Sequence, residues 1–185
     1  MLLVAASSQY ATVPTFATGS SGMSFSLWFQ STSTTGVRLF EFGTVSPQES
    51  FGMGINSGYI RGFRCVAGSC LYPFTEAAYL PMSDNVWRHV VWTMNPSGVW
   101  IIYLNGLVFN SYSGAAVEYV SPGSHPNNYF GKTADNSLSY LNGAIDEFYM
   151  FKTVLTPSQV QTLYQKGTIQ SFLVRLTCFS SNCKS

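Results

Sequence analysis

The sequence predicts an all-β sandwich with a single helix near its C-terminal end. Short alternating or uniformly apolar segments recur along the chain, most cleanly in Met23-Ser-Phe-Ser-Leu-Trp-Phe-Gln30. Turn chemistry separates them, as in Asn56-Ser57-Gly58, Asn95-Pro96-Ser97-Gly98 and Asn105-Gly106. Helical signals gather in one place, from Thr156 to Gly167. Many short strands with one late helix bury their apolar faces best as two packed sheets.

In chain order, residues 8–13 form a first strand stopped by Pro14, and a Gly/Ser/Thr-rich loop follows. In the next strand Met23, Phe25, Leu27 and Phe29 face one side and Ser24, Ser26 and Gln30 the other. Residues 37–43 are a strand ended by Pro47. Residues 51–55 and 59–65 make a hairpin, and residues 71–83, broken by Pro73 and Pro81, are a long loop with at most one short strand. Residues 86–94 and 99–104 are strong strands. Asn105-Gly106 is a type I′ turn into residues 107–109, and residues 111–127 are a loop. A short strand spans residues 129–131, and Asp135-Asn136 sits in a turn before residues 138–141. Residues 145–151 carry apolar side chains on both faces, which suits a strand covered on both sides. For the helix, Thr156 is the cap, Pro157 the first residue and Gln159 completes a T-x-x-Q capping box. Val160, Leu163 and Tyr164 form its apolar face, and Gly167 is placed just past its end.

Composition narrows the function. The 185 residues fit one domain with a tail, and only 9% are charged, with net charge +1. No basic field invites nucleic acid, and no run approaches the ~20 apolar residues of a membrane span. A surface with so little charge suits a protein packed against copies of itself, carrying glycan, or outside the cell. The apolar start at Met1 is too short and has no basic residue to form a signal peptide, so the expectation is a removed signal or a fragment. Four cysteines allow three pairings. Close spacing within each pair favours two local loops, Cys65–Cys70 and Cys178–Cys183, and an oxidising compartment.

The segment Gly143-Ala-Ile145-Asp146-Glu147-Phe148, followed by Leu155 and Leu163-Tyr164, resembles the closing segment of laminin-G-like jelly rolls of the concanavalin-A-like lectin and glucanase group. Phe25-Ser-Leu-Trp-Phe29, Trp87-Arg-His89-Val-Val-Trp-Thr93, Tyr103-Leu-Asn105-Gly106 and Tyr129-Phe-Gly131 resemble further strands of that family in the correct order. The resemblance covers residues 1–167 and implies an antiparallel jelly-roll sandwich with one short C-terminal helix; the tail, residues 168–185, lies outside it. It also implies a calcium ion as an open possibility. Asp146 is the position most like a family metal ligand, with Asp135, Asn136 and Asn105 as helpers, since calcium takes six or more oxygens.

Catalysis is not expected. Glycoside hydrolysis needs two facing carboxylates, whereas Glu41 has no acidic neighbour on its strand and Asp146 and Glu147 point to opposite faces of theirs. His89 sits inside a strand as a packing residue. Trp28, Trp92 and Trp100 lie mid-strand and belong to the core, while Tyr59, Tyr72, Tyr79, Tyr112 and Tyr119 lie in or near loops and are the candidate glycan platforms. The tail segment around Phe172, Leu173, Val174 and Leu176 is apolar and β-prone, suited to strand addition within its own sheet or to a neighbouring copy. These features lead to the expectation of a non-catalytic extracellular structural or adhesive module, self-associating as a fibre subunit. The alternative is a lectin-like glycan binder, with or without calcium.

Overall fold

The computed structural model describes residues 1–17, 21–44, 49–66, 69–74, 82–114, 124–134 and 137–170. Two six-stranded antiparallel sheets face each other. Sheet A has the order β1 (Leu2–Leu3), β14 (Gly143–Phe151), β4 (Met23–Ser31), β9 (Arg88–Met94), β10 (Val99–Leu104) and β11 (Leu107–Ser113). Sheet B has the order β2 (Ala11–Thr12), β13 (Asn127–Phe130), β5 (Val37–Thr44), β6 (Glu49–Asn56), β7 (Tyr59–Val66) and β8 (Ser69–Leu71). A two-residue ladder joins β3 (Phe16–Ala17) to β12 (Ser124–His125), and α1 spans Pro157–Gln170.

The alternation of β4 is realised as read. Met23, Phe25, Leu27 and Phe29 enter the core between the sheets, where Phe40, Phe42, Phe51, Met53, Trp92 and Trp100 meet them, all fully buried. Aromatic rings dominate this layer. Phe25 packs near Phe40, Phe42, Phe51 and Trp92 at 5.3–6.3 Å between ring centres. Phe40→Ala is expected to lower stability by about 3–5 kcal/mol, because so tight a layer cannot collapse around the space left; urea unfolding measures it.

The predicted type I′ turn at Asn105-Gly106 is present, with φ of 50° and 81°, and the predicted hairpin turn at Ser57-Gly58 has the same form, with φ of 51° and 81°. The capping box also forms, with Thr156 N–H donating to Gln159 Oε1 at 2.8 Å and Gln159 N–H to Thr156 Oγ1 at 3.3 Å. Ser24 fixes the approach to α1: its Oγ donates to the Thr153 carbonyl at 2.8 Å and accepts from Leu155 N–H at 2.9 Å.

Several details differ from the sequence reading: β11 runs on to Ser113 and β12 pairs with β3, within stretches read as loops. Gly167 lies inside α1, and its Cα packs on the Trp28 indole, where any side chain would collide; close packing rather than helix termination explains this glycine. Trp28 accordingly sits on the outer face of sheet A under α1, partly buried, and not in the core. Residues 138–141 make only an isolated bridge at Ser139, not a strand. Finally, β14 carries a bulge between Asp146 and Tyr149, with Glu147 at φ 47°, which brings Asp146 and Glu147 to the same outer face of sheet A and not to the opposite faces that strict alternation predicts. The extra residue turns Phe148 inward, 4.7 Å from Phe130 and 5.5 Å from Phe40.

Candidate functional site

The two outer faces of the sandwich differ. α1 covers part of sheet A, where Val91, Tyr103, Leu155 and Val160 form a second small core. Beneath the C-terminal half of α1, Ser26 Oγ and His89 Nε2 are 2.8 Å apart, and the imidazole packs between Trp28 at 5.3 Å and Tyr164 at 5.9 Å. Burial holds His89 down to a pKa of about 4, so it is neutral at pH 7. Glu147, Tyr149, Leu163 and Lys166 complete a cleft of about 80 Å³ beside it. Ser26 is 1% exposed and lines the floor of this cleft together with His89.

The outer face of sheet B is organised differently, and no helix lies over it among the described residues. The strand register sets Thr12, Tyr129, Glu41, Gly52 and Phe63 side by side across five strands. Tyr72, just after β8, extends the row with its ring 5.8 Å from Phe63. Six strands at ordinary spacing make this row about 24 Å long. A second row, Arg38–Gly54–Arg61, runs parallel to it.

Glycine shapes the middle of the face. A methyl group at Gly52 would strike the Phe40 carbonyl and lie 2.8 Å from the Phe63 ring, and one at Gly54 would lie 3.3 Å from Arg38. The trough is therefore open to the side chains that fill it. Arg38 lies with its guanidinium 3.9 Å above the Phe63 ring, donates to Glu41 Oε2 at 3.3 Å and to Tyr72 Oη at 3.3 Å. It is thus held by a cation–π contact, an ion pair and a hydrogen bond at once, with only 12% of its side chain exposed. Glu41 beneath it is 3% exposed. Arg61 sits over Tyr59 at 5.7 Å. At the other end Lys132 Nζ lies between Tyr10 at 4.4 Å and Tyr129 at 4.3 Å, and Tyr140 flanks Tyr10 at 6.3 Å. The result is a strip of tyrosine and phenylalanine rings interleaved with Arg38, Arg61 and Lys132 against the single carboxylate of Glu41.

The residues singled out from the sequence fall in separate places. Tyr59 and Tyr72 belong to this strip. Tyr112 pairs with Trp100 across β10 and β11 and packs against the core. Tyr79 and Tyr119 lie outside the described residues, as do Asp135, Asn136, Cys178, Cys183, Phe172, Leu173, Val174 and Leu176. Cys65 and Cys70 form a disulfide that ties β7 to β8, next to the strip. Asp146 is exposed and its Oδ1 accepts the N–H of Glu147 at 3.0 Å. Among the described residues no three His, Cys, Asp or Glu side chains converge as metal ligands. The sequence reading overlooked Arg38, Phe63, Tyr129, Tyr10 and Lys132. The available signals were the Gly52-x-Gly54 spacing within a strand and the Tyr59-x-Arg61-x-Phe63 alternation, both of which mark one face of a sheet.

Comparison with known proteins places this geometry. Adhesion G-protein coupled receptor D1 of Homo sapiens is 31% identical over 85 residues, covering 46% of this chain and 10% of the receptor. The SAP-like pentraxin of Limulus polyphemus superposes with a TM-score of 0.63 at 16% identity, covering 84% of this chain and 74% of the pentraxin. The binding domain of botulinum neurotoxin DC, solved in complex with SialylT, superposes with a TM-score of 0.60 at 17% identity, covering 79% of this chain and 35% of that one. The chain therefore spans a tenth of the matched receptor and about a third of that toxin domain. The laminin G family model described as "Concanavalin A-like lectin/glucanases superfamily" matches residues 5–161, and with the two-sheet sandwich just described the chain belongs to that family.

Proposed function

We propose that this chain is a non-catalytic extracellular binding module that holds an acidic glycan against the outer face of sheet B. The observation that carries this reading is the strip running from Tyr10 and Tyr129 to Tyr72, with Arg38 pinned at its centre. Tyr10 and Tyr72, 45% and 42% exposed, offer flat apolar platforms to sugar rings, whereas Phe63 is buried beneath Arg38 and supports it from below. Arg38 and Arg61 offer donors and positive charge to carboxylates or sulfates, and the buried Lys132 adds its charge from behind Tyr10 and Tyr129. Glu41 is committed to Arg38, and no second carboxylate faces it from the register rows of this sheet, so the pair of acids that glycoside hydrolysis requires is missing from this face among the described residues. The family, the Cys65–Cys70 disulfide and the pentraxin and toxin-domain likenesses support an extracellular binding role.

A glycan array with and without a chelator tests this. Acidic glycans are expected to bind, with affinity unchanged by chelation, because the strip supplies its own cations. Loss of binding on chelation would favour the lectin-like alternative, in which calcium is held by Asp146 with Asp135 and Asn136.

A second activity, self-assembly, is favoured by the low charge of 9% and by the apolar, β-prone run in the tail at Phe172, Leu173, Val174 and Leu176, interrupted by the single charge of Arg175. In this reading the module is adhesive twice over, to glycan through sheet B and to its own copies through the tail.

A further inference from the structure

Strand β11 closes one side of sheet A, and no strand follows it among the described residues. Its seven residues, LVFNSYS, contain neither a charge nor a proline, the devices that ordinarily keep an edge from pairing. Other sheet ends are short: β1 and β2 have two residues each and β8 has three. Leu107 and Val108 at the start of β11 are 70% and 59% exposed. The tail offers a match in kind. Phe172, Val174 and Leu176 recur at every second position, and Arg175 is the one charge in residues 172–179.

Helix α1 first touches this edge and then leaves it. Gln161 and Tyr164 meet Gly106, at the turn before β11, whereas Gly167 packs on Trp28 of β4. Three strand spacings, about 14 Å, separate β4 from β11. That distance equals about four extended residues. The tail of another copy does not have to cross it.

We propose that β11 accepts the tail of a second copy, residues 172–179 adding to sheet A as a seventh strand. This rests on the self-assembly reading above. Donor and acceptor are different surfaces, so each copy that accepts a tail still has its own to give, and the contact propagates along a filament.

The test uses the full chain. Light scattering is expected to show mass rising with concentration past the dimer, with β11 amides exchanging at least tenfold more slowly in the polymers than in dilute monomer. Val108→Lys with Ser111→Lys blocks the edge; Val174→Asp with Leu176→Asp blocks the tail. Each pair should raise the concentration for assembly at least tenfold, and an equimolar mixture of the two should stop at a heterodimer. Polymers that persist in the edge-blocked protein would overturn β11 as the acceptor while leaving self-assembly standing. Protection in the monomer of those β11 amides that point away from β10 would show that the chain's own tail occupies the edge and would overturn the second copy as donor. A wild-type chain monomeric at every concentration would overturn both this inference and the self-assembly reading.

Discussion

Acidification from pH 6.5 to pH 5 is expected to cost the folded protein about 2 kcal/mol, and about 3 kcal/mol by pH 4, through His89 alone. Buried beneath α1 between Trp28 and Tyr164, this imidazole has its pKa lowered from 6.5 to about 4 by desolvation. In the unfolded chain it protonates near its ordinary value. Between the two values the unfolded state binds a proton that the native state refuses, so stability is complete above pH 6.5 and falls as pH drops towards 4. Glu147, held above its ordinary 4.5 by burial and by the charge of Asp146, works in the opposite sense: the native state binds its proton first. The window from pH 6.5 to 5 therefore reports His89 most cleanly. Urea midpoints at half-unit pH steps should show the slope in the wild type and a flattened slope in His89→Gln. An equal slope in both would place the acid sensitivity elsewhere.

Replacing Arg38 by alanine is expected to reduce acidic-glycan binding by at least tenfold, the loss typical of a central arginine anchor. The same change removes the guanidinium from above Phe63 and breaks its bonds to Glu41 and Tyr72. A stability loss of about 1–3 kcal/mol should accompany it, since a cation–π contact and a buried charge-assisted hydrogen bond are lost together. Arg38→Lys separates the two effects. Lysine keeps the charge but lacks the planar fork, so binding should fall less than in alanine while the hold on Tyr72 is lost. Calorimetric titration with an acidic oligosaccharide, alongside thermal unfolding, measures both. Binding equal to wild type in Arg38→Ala would remove Arg38 from the site.

Most of the fold was legible because its determinants are local. The β4 alternation, the Asn105-Gly106 turn and the Thr156–Gln159 capping box each act within a few residues, and each forms as read. The bulge at Glu147 was not legible: residues 145–151 are apolar on both faces, so a one-residue slip leaves no mark in the pattern. Gly167 misled for a related reason. A glycine after a helical run signals an end, and only the tertiary approach of Trp28 shows that here it makes room. The binding strip was half legible. Tyr59 and Tyr72 stood out as aromatics near turns, but Arg38, Phe63, Tyr129 and Lys132 come from four separate segments. They are joined only by the register of sheet B and by the trough at Gly52 and Gly54.

Nuclear magnetic resonance mapping during titration with an acidic oligosaccharide tests the binding face most directly. Shifts are expected to concentrate on the outer row of sheet B, at Tyr129, Glu41, Gly52, Phe63 and Tyr72, together with Arg38 and Arg61. Shifts confined to β14 around Asp146, with sheet B silent, would contradict the proposal and move the ligand to the other end of the family's repertoire.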